Sequence, residues 1–432
     1  MANNVDPDNS NSWQEYLLED CVDILDNQRV PVNSDDRSKR QGDIPYYGAT
    51  GQVGYINDFL FNEELVLLGE DGAPFLDKTK PIAYIISGKS WVNNHAHVIR
   101  AKSGLANNWF IKYYLDYFNF ADFVGGTTRL KLNQSAMKKI PIKLPTQEEQ
   151  ERIANNLKEA INLIEQNKIK TSKARSIIDR FRQSVLSDAI TGKLTEDWRE
   201  ININVEPAKV FLQKIEIPQK KKGQQNTILD TDNLLEIPST WEWVKFEQIG
   251  ELARGKSKHR PRNDPRLFGG TYPFIQTGDV AKSNGKISEF SQTYNDIGLA
   301  QSRLFPKGTL CITIAANIAD SGILQIDACF PDSVVGFIPY SPITSADYFF
   351  YFINTAKNNL EQFAPATAQK NINLAILNEL AIPLPPLEEQ KEIIRRVNQY
   401  LTLANEIEKQ IENAEARVSK LTQAILAKTF NN

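Results

Sequence analysis

The chain has 432 residues, with 50 Lys and Arg against 53 Asp and Glu, a formal net charge of −3 and 41% hydrophobic residues. This is the composition of a soluble globular protein of two or three domains with a real core; it excludes a disordered tail and a collagen-like chain, and it disfavours a uniformly basic nucleic-acid binder but not one whose basic surface is local. The three cysteines (Cys21, Cys311, Cys329) are too few and scattered for a disulfide framework or a zinc site, no apolar run approaches the roughly 18 residues of a membrane span, and the N-terminus lacks signal-peptide features, so a cytoplasmic protein with no membrane partner is expected.

In chain order, residues 1–26 hold seven acids and no Lys or Arg, a segment ill suited to a phosphate backbone. Strand candidates follow at LVLLG (65–69) and IAYIIS (82–87), and WFIKYYLDYF (109–118) reads as an amphipathic helix. A long helix then starts at LPTQEEQERI (144–153), with Thr146 as N-cap and Glu149 at the third helical position, a capping box. A polar stretch with linker composition runs over 193–236. Beyond it, TLCITIA (309–315) and SVVGFIP (333–339) are strand candidates and DYFFYFINTA (347–356) a helix. A second long helix starts at LPPLEEQKEI (384–393), where Pro385, Pro386, Glu388 and Glu389 suit a first helical turn.

The chain repeats itself. LPTQEEQERI and LPPLEEQKEI share six of ten positions at an offset of 240, which also lays RFRQSVLSDAI (180–190) over KLTQAILAKTF (420–430). Earlier in each half, Ser12-Trp13 lies under Thr240-Trp241 and Ile44-Pro45-Tyr46 under Tyr272-Pro273-Phe274, at an offset of 228. The first long helix carries a seam of alternating four- and three-residue steps through Ile153, Leu157, Ala160, Ile164, Asn167, Thr171, Ala174, Ile178, Phe181 and Val185. The second carries Ile393, Val397, Ile407, Ile411, Val418, Leu421 and Ile425 in matching register. A 3.5-residue period sustained this long predicts a coiled coil between the two, with Asn167 and Thr171 interrupting the seam to fix its register. The expected fold class is therefore α+β, with an internal two-fold pseudo-repeat. Two globular domains (1–143 and 237–383) are separated by long helices (144–192 and 384–432) that form an antiparallel coiled coil, and 193–236 links the halves.

Catalytic apparatus is missing from the sequence. AYIISGKS (83–90) nearly spells a phosphate-binding loop, but Ala83 replaces its first glycine and a turn is the better reading. Three histidines (His95, His97, His259) make a metalloenzyme a stretch, and no metal site is expected. Other features suit nucleic acid. RGKSKHRPRNDPR (254–266) carries Arg254, Lys256, Lys258, Arg260, Arg262 and Arg266 with His259 against one acid, Asp264, enough to neutralise several phosphates. In the first half the candidates are Lys89, Ser90, Asn93, Asn94, His95, His97 and Arg100, then Thr127, Thr128, Arg129 and Lys131 in GGTTRLKLN (125–133). The counterpart of that stretch, PATAQKNIN (365–373), offers Gln369, Lys370 and Asn371. Asn and Gln pair with adenine, Arg and Lys with guanine; Asn and Gln also form turns.

With these motifs in order and duplicated, together with RFRQSVLSDAITGKLTEDWR (180–199), RVSKLTQAILAKTF (417–430), GTTRLKLNQSAMKKIPIKLP (126–145) and IPSTWEWVKFEQI (237–249), nearly the whole chain resembles the specificity (S) subunit of type I restriction-modification systems. The resemblance implies that the globular parts are target recognition domains, each reading one half of a split, asymmetric double-stranded DNA sequence. It also implies that the helices act as spacer and as docking surface for two modification subunits, which bind S-adenosylmethionine and methylate adenine at N6. Restriction subunits using ATP and Mg would join the complex, and this chain would hold no cofactor and do no catalysis. The rival reading is a coiled-coil scaffold whose globular ends bind other proteins.

Overall fold

The computed structural model describes residues 13–215, 234–315, 319–343, 345–357 and 374–431. Two compact units emerge: Met1–Ala174 with Gln410–Asn432, and Arg175–Lys409. Each long helix is divided between the units, whereas the boundaries expected at 143/144 and 383/384 would set the helices apart from the domains.

The first unit contains β1 (Gln14–Leu17), β2 (Val22–Ile24), β3 (Ile44–Gly48), β4 (Gly51–Ile56), β5 (Phe61–Asn62), β6 (Leu65–Gly69), β7 (Ala83–Ile86), β8 (Lys89–Val92), β9 (Ala96–Ala101), α1 (Asn108–Tyr117), β10 (Pro141–Leu144) and the start of α2 (Gln147–Thr191). One antiparallel sheet has the order β2-β9-β6-β7; a second, mixed sheet has the order β4-β3-β8-β5 with β3 and β8 parallel, and β1 pairs with β10. Every residue of β6 is buried, because the strand is central and covered on both faces; hence its unbroken apolar run rather than an alternating one. α1 starts where the Asn107 side chain accepts from the amides of Trp109 and Phe110. It is tied to β7 by Asp116, whose carboxylate accepts from the amides of Ile82 (2.8 Å) and Ala83 (2.9 Å). The near phosphate-binding loop is the short turn that carries the chain from β7 in one sheet to β8 in the other, with no helix directly after it.

The second unit repeats this plan. It holds β11 (Glu242–Lys245), β12 (Gly250–Arg254), β13 (Phe268–Phe274), β14 (Lys286–Ile287), β15 (Gln292–Tyr294), β16 (Leu310–Thr313), β17 (Ser321–Leu324), β18 (Val334–Pro339), α3 (Asp347–Ala356), β19 (Ala381–Leu384) and the start of α4 (Leu387–Phe430). The sheet order β12-β18-β16-β17-β14 matches that of the first unit, with β14 added parallel at the edge. β11 pairs with β19 as β1 does with β10.

The expected linker is ordered over its first part. Gly192, at φ +81°, ends α2 in a left-handed cap where a Cβ would lie 2.5 Å from Pro238. Short helices at Glu196–Ile201 and Ala208–Leu212 follow, and Ala208, Phe211 and Ile215 join the core around Trp241. What reads as a polar linker thus sends Ala208, Phe211 and Ile215 into the core, while Ile201 and Ile203 stay exposed.

Within each unit the start of one long helix meets the end of the other. In the first unit Ile153 and Leu157 share a core with Leu426 and Phe430. The Phe430 ring sits 5.5 Å from that of Phe110 and 5.4 Å from that of Tyr114. In the second unit Val185 packs with Ile393 and Val397, Phe181 meets Tyr400 edge-on, and Arg182 reaches Asn405 and Glu408 at 2.6 Å, an antiparallel progression. The seam is uneven. Ile164, Ile178 and Ile411 are buried, whereas Ile407 and Leu421 are 36% and 44% exposed. Asn167 and Thr171 do not lock the register: their side chains bond the helix's own carbonyls, of Leu163 (2.9 Å) and Lys168 (3.0 Å).

The repeated LPxxEEQ motif is a mechanical joint. Thr146 Oγ1 accepts from the Glu149 amide, which is the expected cap. The fully buried Gln150 donates to the carbonyls of Leu105 and Pro145 and accepts from the Asn107 amide, all at 3.0 Å. In the second copy Glu389 is buried as well. It accepts from Arg199 (2.6 Å), Thr195 (2.7 Å) and the Trp241 indole (2.9 Å), latching the segment after α2 onto the start of α4. Arg396 adds bonds to Asp197 (2.6 Å) and to the Leu194 carbonyl (2.9 Å).

Candidate nucleic-acid interface

The basic loop lies between β12 and β13. Its chain alternates exposed Lys256 and Lys258 with buried Gly255 and Ser257. Gly255 is required there: a Cβ would lie 2.2 Å from the Phe330 carbonyl oxygen. Asp264 organises the far side, accepting from the amide and guanidinium of Arg266 and approaching His259 Nε2 at 2.7 Å. Those bonds, Arg266 foremost, hold its carboxyl well below the usual carboxylate range. Arg262 pairs with Asp332 (2.8 Å), Arg254 bonds the Asp332 carbonyl (2.9 Å) and Arg260 that of Ser257 (2.6 Å). Among the described residues, Lys256 and Lys258 make no ion pair. The loop is thus a folded platform that presents more positive charge than it neutralises, suited to phosphate contacts.

Beside the loop opens a cleft of about 510 Å³, lined among others by Arg262, Asn263, Gln276, Thr277 and Gln292 over an aromatic floor of Phe268 and Phe274. Phe274 stacks on the buried Tyr294 at 4.1 Å.

In the first unit the candidate residues divide. Lys89 is exposed, its ammonium 5.0 Å from the centre of the Phe59 ring, and Asn94, Thr127 and Thr128 are exposed too. Ser90, Asn93 and His97 are buried, which corrects the expectation that they present themselves at a surface. Asn93 Oδ1 accepts from the His95 amide. His97 is held between Asp26 (Nδ1, 2.6 Å) and the Leu132 carbonyl (Nε2, 2.8 Å). The spacing of His95 and His97 carries no signal for this, because the partners lie far off in sequence. Arg100 is engaged by Asp23 (3.0 Å) and Glu63 (3.1 Å). Chain pairing brings His95, Arg129 and Lys131 together around Glu70 and Asp71: Arg129 pairs with Asp71 (2.9 Å), Lys131 with Glu70 (3.3 Å), and His95 Nδ1 lies 3.4 Å from Asp71. Gln369, Lys370 and Asn371 lie outside the described residues.

Asp26, Glu70 and His97 could offer three ligand atoms within 4.8 Å. The facing atoms already have partners: Arg29 reaches Glu70 at 2.6 Å and Gln134 reaches Asp26 at 2.9 Å, so a guanidinium supplies positive charge there. Burial pushes the Asp26 carboxyl up, but its bonds with His97, Gln134 and the Val98 amide outweigh this and hold it below its ordinary value.

Two features escape sequence reading. The segment between β2 and β3 occupies the same topological place as the basic loop and carries Arg37, Lys39 and Arg40, with Arg37 over the Tyr46 ring (4.8 Å) and Arg40 over Trp91 (4.5 Å). The 228-residue offset already lays residues 26–38 under 254–266, but Asp35, Asp36 and Asp43 mask the charge. The second is the pair Gln276 and Gln292, joined at 2.7 Å from separate segments, for which the sequence has no signal.

The family model for the type I restriction modification DNA specificity domain matches residues 10–173 and again 238–415. The chain belongs to this family. Its two copies of the specificity domain are the two repeats of the fold, and the chain is a type I specificity subunit. It is 28% identical to the type I restriction enzyme EcoDI specificity subunit of Escherichia coli, over 97% of this chain and 88% of that one. It is 26% identical to a putative type I specificity subunit, S.HindORF215P, of Haemophilus influenzae, over 90% and 88%. Two solved structures share the fold. A chain from a study of assembly and conformational transition of the type I system has TM-score 0.64 at 16% identity, covering 99% of both chains. The HsdS subunit of Thermoanaerobacter tengcongensis has TM-score 0.57 at 15% identity, covering 98% and 97%. No helix among the described residues is long and apolar enough to cross a membrane.

Proposed function

We propose that each unit of this specificity subunit reads one half of a bipartite, asymmetric DNA target. The carrying observation is the repeat itself: two units share sheet order and terminal strand pairing, yet differ in the loops that carry their exposed cations. Related frames with unlike loops suit two unlike half-sites on one duplex. The basic loop at 254–266, and Lys89, Arg129 and Lys131 in the first unit, are the phosphate- and base-contacting candidates.

The long helices serve as docking surface for two adenine-N6 modification subunits and, through them, the restriction subunits. Exposed apolar side chains support this. They are Leu163 and Ile169 on α2 in the first unit, and Ile177, Tyr400 and Leu403 on α2 and α4 in the second. These form apolar area on the two helices that a docked subunit could cover. The chain supplies sequence choice without catalysis. S-adenosylmethionine belongs to the modification subunit, ATP and Mg to the restriction subunit, and the complex works in the cytoplasm.

The test is to express the chain with its cognate modification subunit in an unmethylated host and sequence the methylome. Adenine methylation in a split, asymmetric motif is expected; methylation of a contiguous palindrome, or none, would overturn the reading.

A further inference from the structure

The cleft beside the basic loop contains an arrangement that the charge of the loop does not explain. Gln276 lies two residues beyond the end of β13, just after the core residue Ile275, and Gln292 opens β15; the two strands pair antiparallel with Phe274 opposite Gln292. Across that pairing Gln276 Nε2 donates to Gln292 Oε1 at 2.7 Å. The backbone of Gln276 is itself fixed, its amide donating to Asp279 at 2.8 Å. One amide therefore holds the plane of the other. An amide oxygen has two lone pairs and an amide nitrogen two hydrogens. Gln292 spends one lone pair on Gln276 and keeps one acceptor and both donors side by side, facing the solvent of the cleft.

We propose that Gln292, oriented by Gln276, reads an adenine in the half-site taken by the second unit. The chemistry selects among the bases. In the major groove adenine offers an acceptor, N7, next to a donor, the N6 amine; guanine offers two acceptors, cytosine only a donor and thymine only an acceptor. A side-by-side donor and acceptor completes both bonds with adenine alone. Holding the amide plane beforehand reduces the ordering cost on binding. Lys256 and Lys258 on the adjoining loop take the flanking phosphates and set the register, and Arg262 and Asn263 form the wall between loop and amide pair. The proposal rests on the reading of the second unit as a DNA reader and adds which base it demands and through which side chain.

The test uses the purified complex of this chain with its modification subunit. Binding is measured against the cognate duplex and against duplexes substituted in turn at each position of both half-sites. The wild type must first discriminate at both half-sites; if it does not, the DNA-reader assignment itself fails. Given that, Gln292→Leu should lose roughly 5- to 150-fold of discrimination at one A·T position of one half-site, with all other positions unchanged. Gln276→Leu should lose part of it at the same position. Gln292→Glu, which keeps the acceptor and loses the donors, should move the preference there from adenine towards cytosine. The proposal is overturned if that half-site contains no A·T pair, if the Leu and Glu variants discriminate as wild type does, or if they lose discrimination evenly at every position.

Discussion

Glu389 and Glu149 occupy the same place in the repeated LPxxEEQ motif, and their surroundings predict opposite consequences of removal. The Glu389 side chain is 1% exposed and takes three hydrogen bonds, one of them from Arg199. Glu389→Ala leaves a largely buried guanidinium, a buried Thr195 hydroxyl and the Trp241 indole without their acceptor. Removing one partner of a buried ion pair costs roughly 3–5 kcal/mol, because the remaining charge stays desolvated. For a domain of this size each kcal/mol lowers the melting temperature by about 2–4 °C. A fall of roughly 6–20 °C in the transition of the second unit is therefore expected, with Gln in place of Ala giving an intermediate value, since it restores one acceptor oxygen but neither the second nor the charge. Glu149 pairs with Arg152 one turn away, both side chains at least one-third exposed, so Glu149→Ala should cost no more than about 0.5 kcal/mol. The assay is thermal unfolding of the full chain by circular dichroism. Equal, small shifts for Glu389→Ala and Glu149→Ala would refute the latch.

Other outcomes are open to measurement. Replacing Lys256 and Lys258 with Gln should reduce the slope of log affinity for DNA against log salt by about 1.8, at about 0.9 per phosphate, or about 12-fold in affinity between 50 and 200 mM salt; an unchanged slope in an anisotropy titration would clear the two lysines of phosphate contact. The Asp26 carboxyl sits below its ordinary value in the fold, so its contribution is whole above about pH 4 and fades as the pH falls through the folded value. Asp26→Asn should accordingly destabilise the protein at pH 7 in urea unfolding, and the gap from wild type should close on acidification. Exchanging residues 1–143 for those of a relative should change one half-site of the methylated motif; a change in both would contradict modular reading. Ile178→Asp places a charge at a buried seam position and should abolish capture of the modification subunit, whereas Val418→Asp, at a half-buried one, should weaken it less.

The backbone plan was legible because its signals are local or periodic. The run at 65–69 becomes β6 without alteration, and the helix read at 109–118 becomes α1, one residue earlier. The seam register survives because a 3.5-residue period constrains a whole helix at once. Side-chain roles were legible only where one segment decides them. The 254–266 loop could be read as basic because its charges are consecutive. His97 could not be read as interior, because Asp26 and the Leu132 carbonyl approach it from distant parts of the chain. Asn167 looked like a register device by its position in the seam, but a polar side chain beside its own helix carbonyl has a nearer acceptor than the opposite helix.

The same distinction explains how one motif yields two environments. Its proline and first-turn carboxylates start a helix in both copies, since that is settled within one turn. What the second carboxylate then does depends on what reaches it. In the second unit Thr195 and Arg199, from the segment beyond α2, arrive with Trp241 and bury Glu389; in the first, Glu149 stays with Arg152 at the surface. Sequence identity fixes the joint, and tertiary surroundings fix its strength. By the same logic the two units share a frame yet hold different polar side chains at its rim, the property that the proposed reading of a DNA target with unlike halves requires.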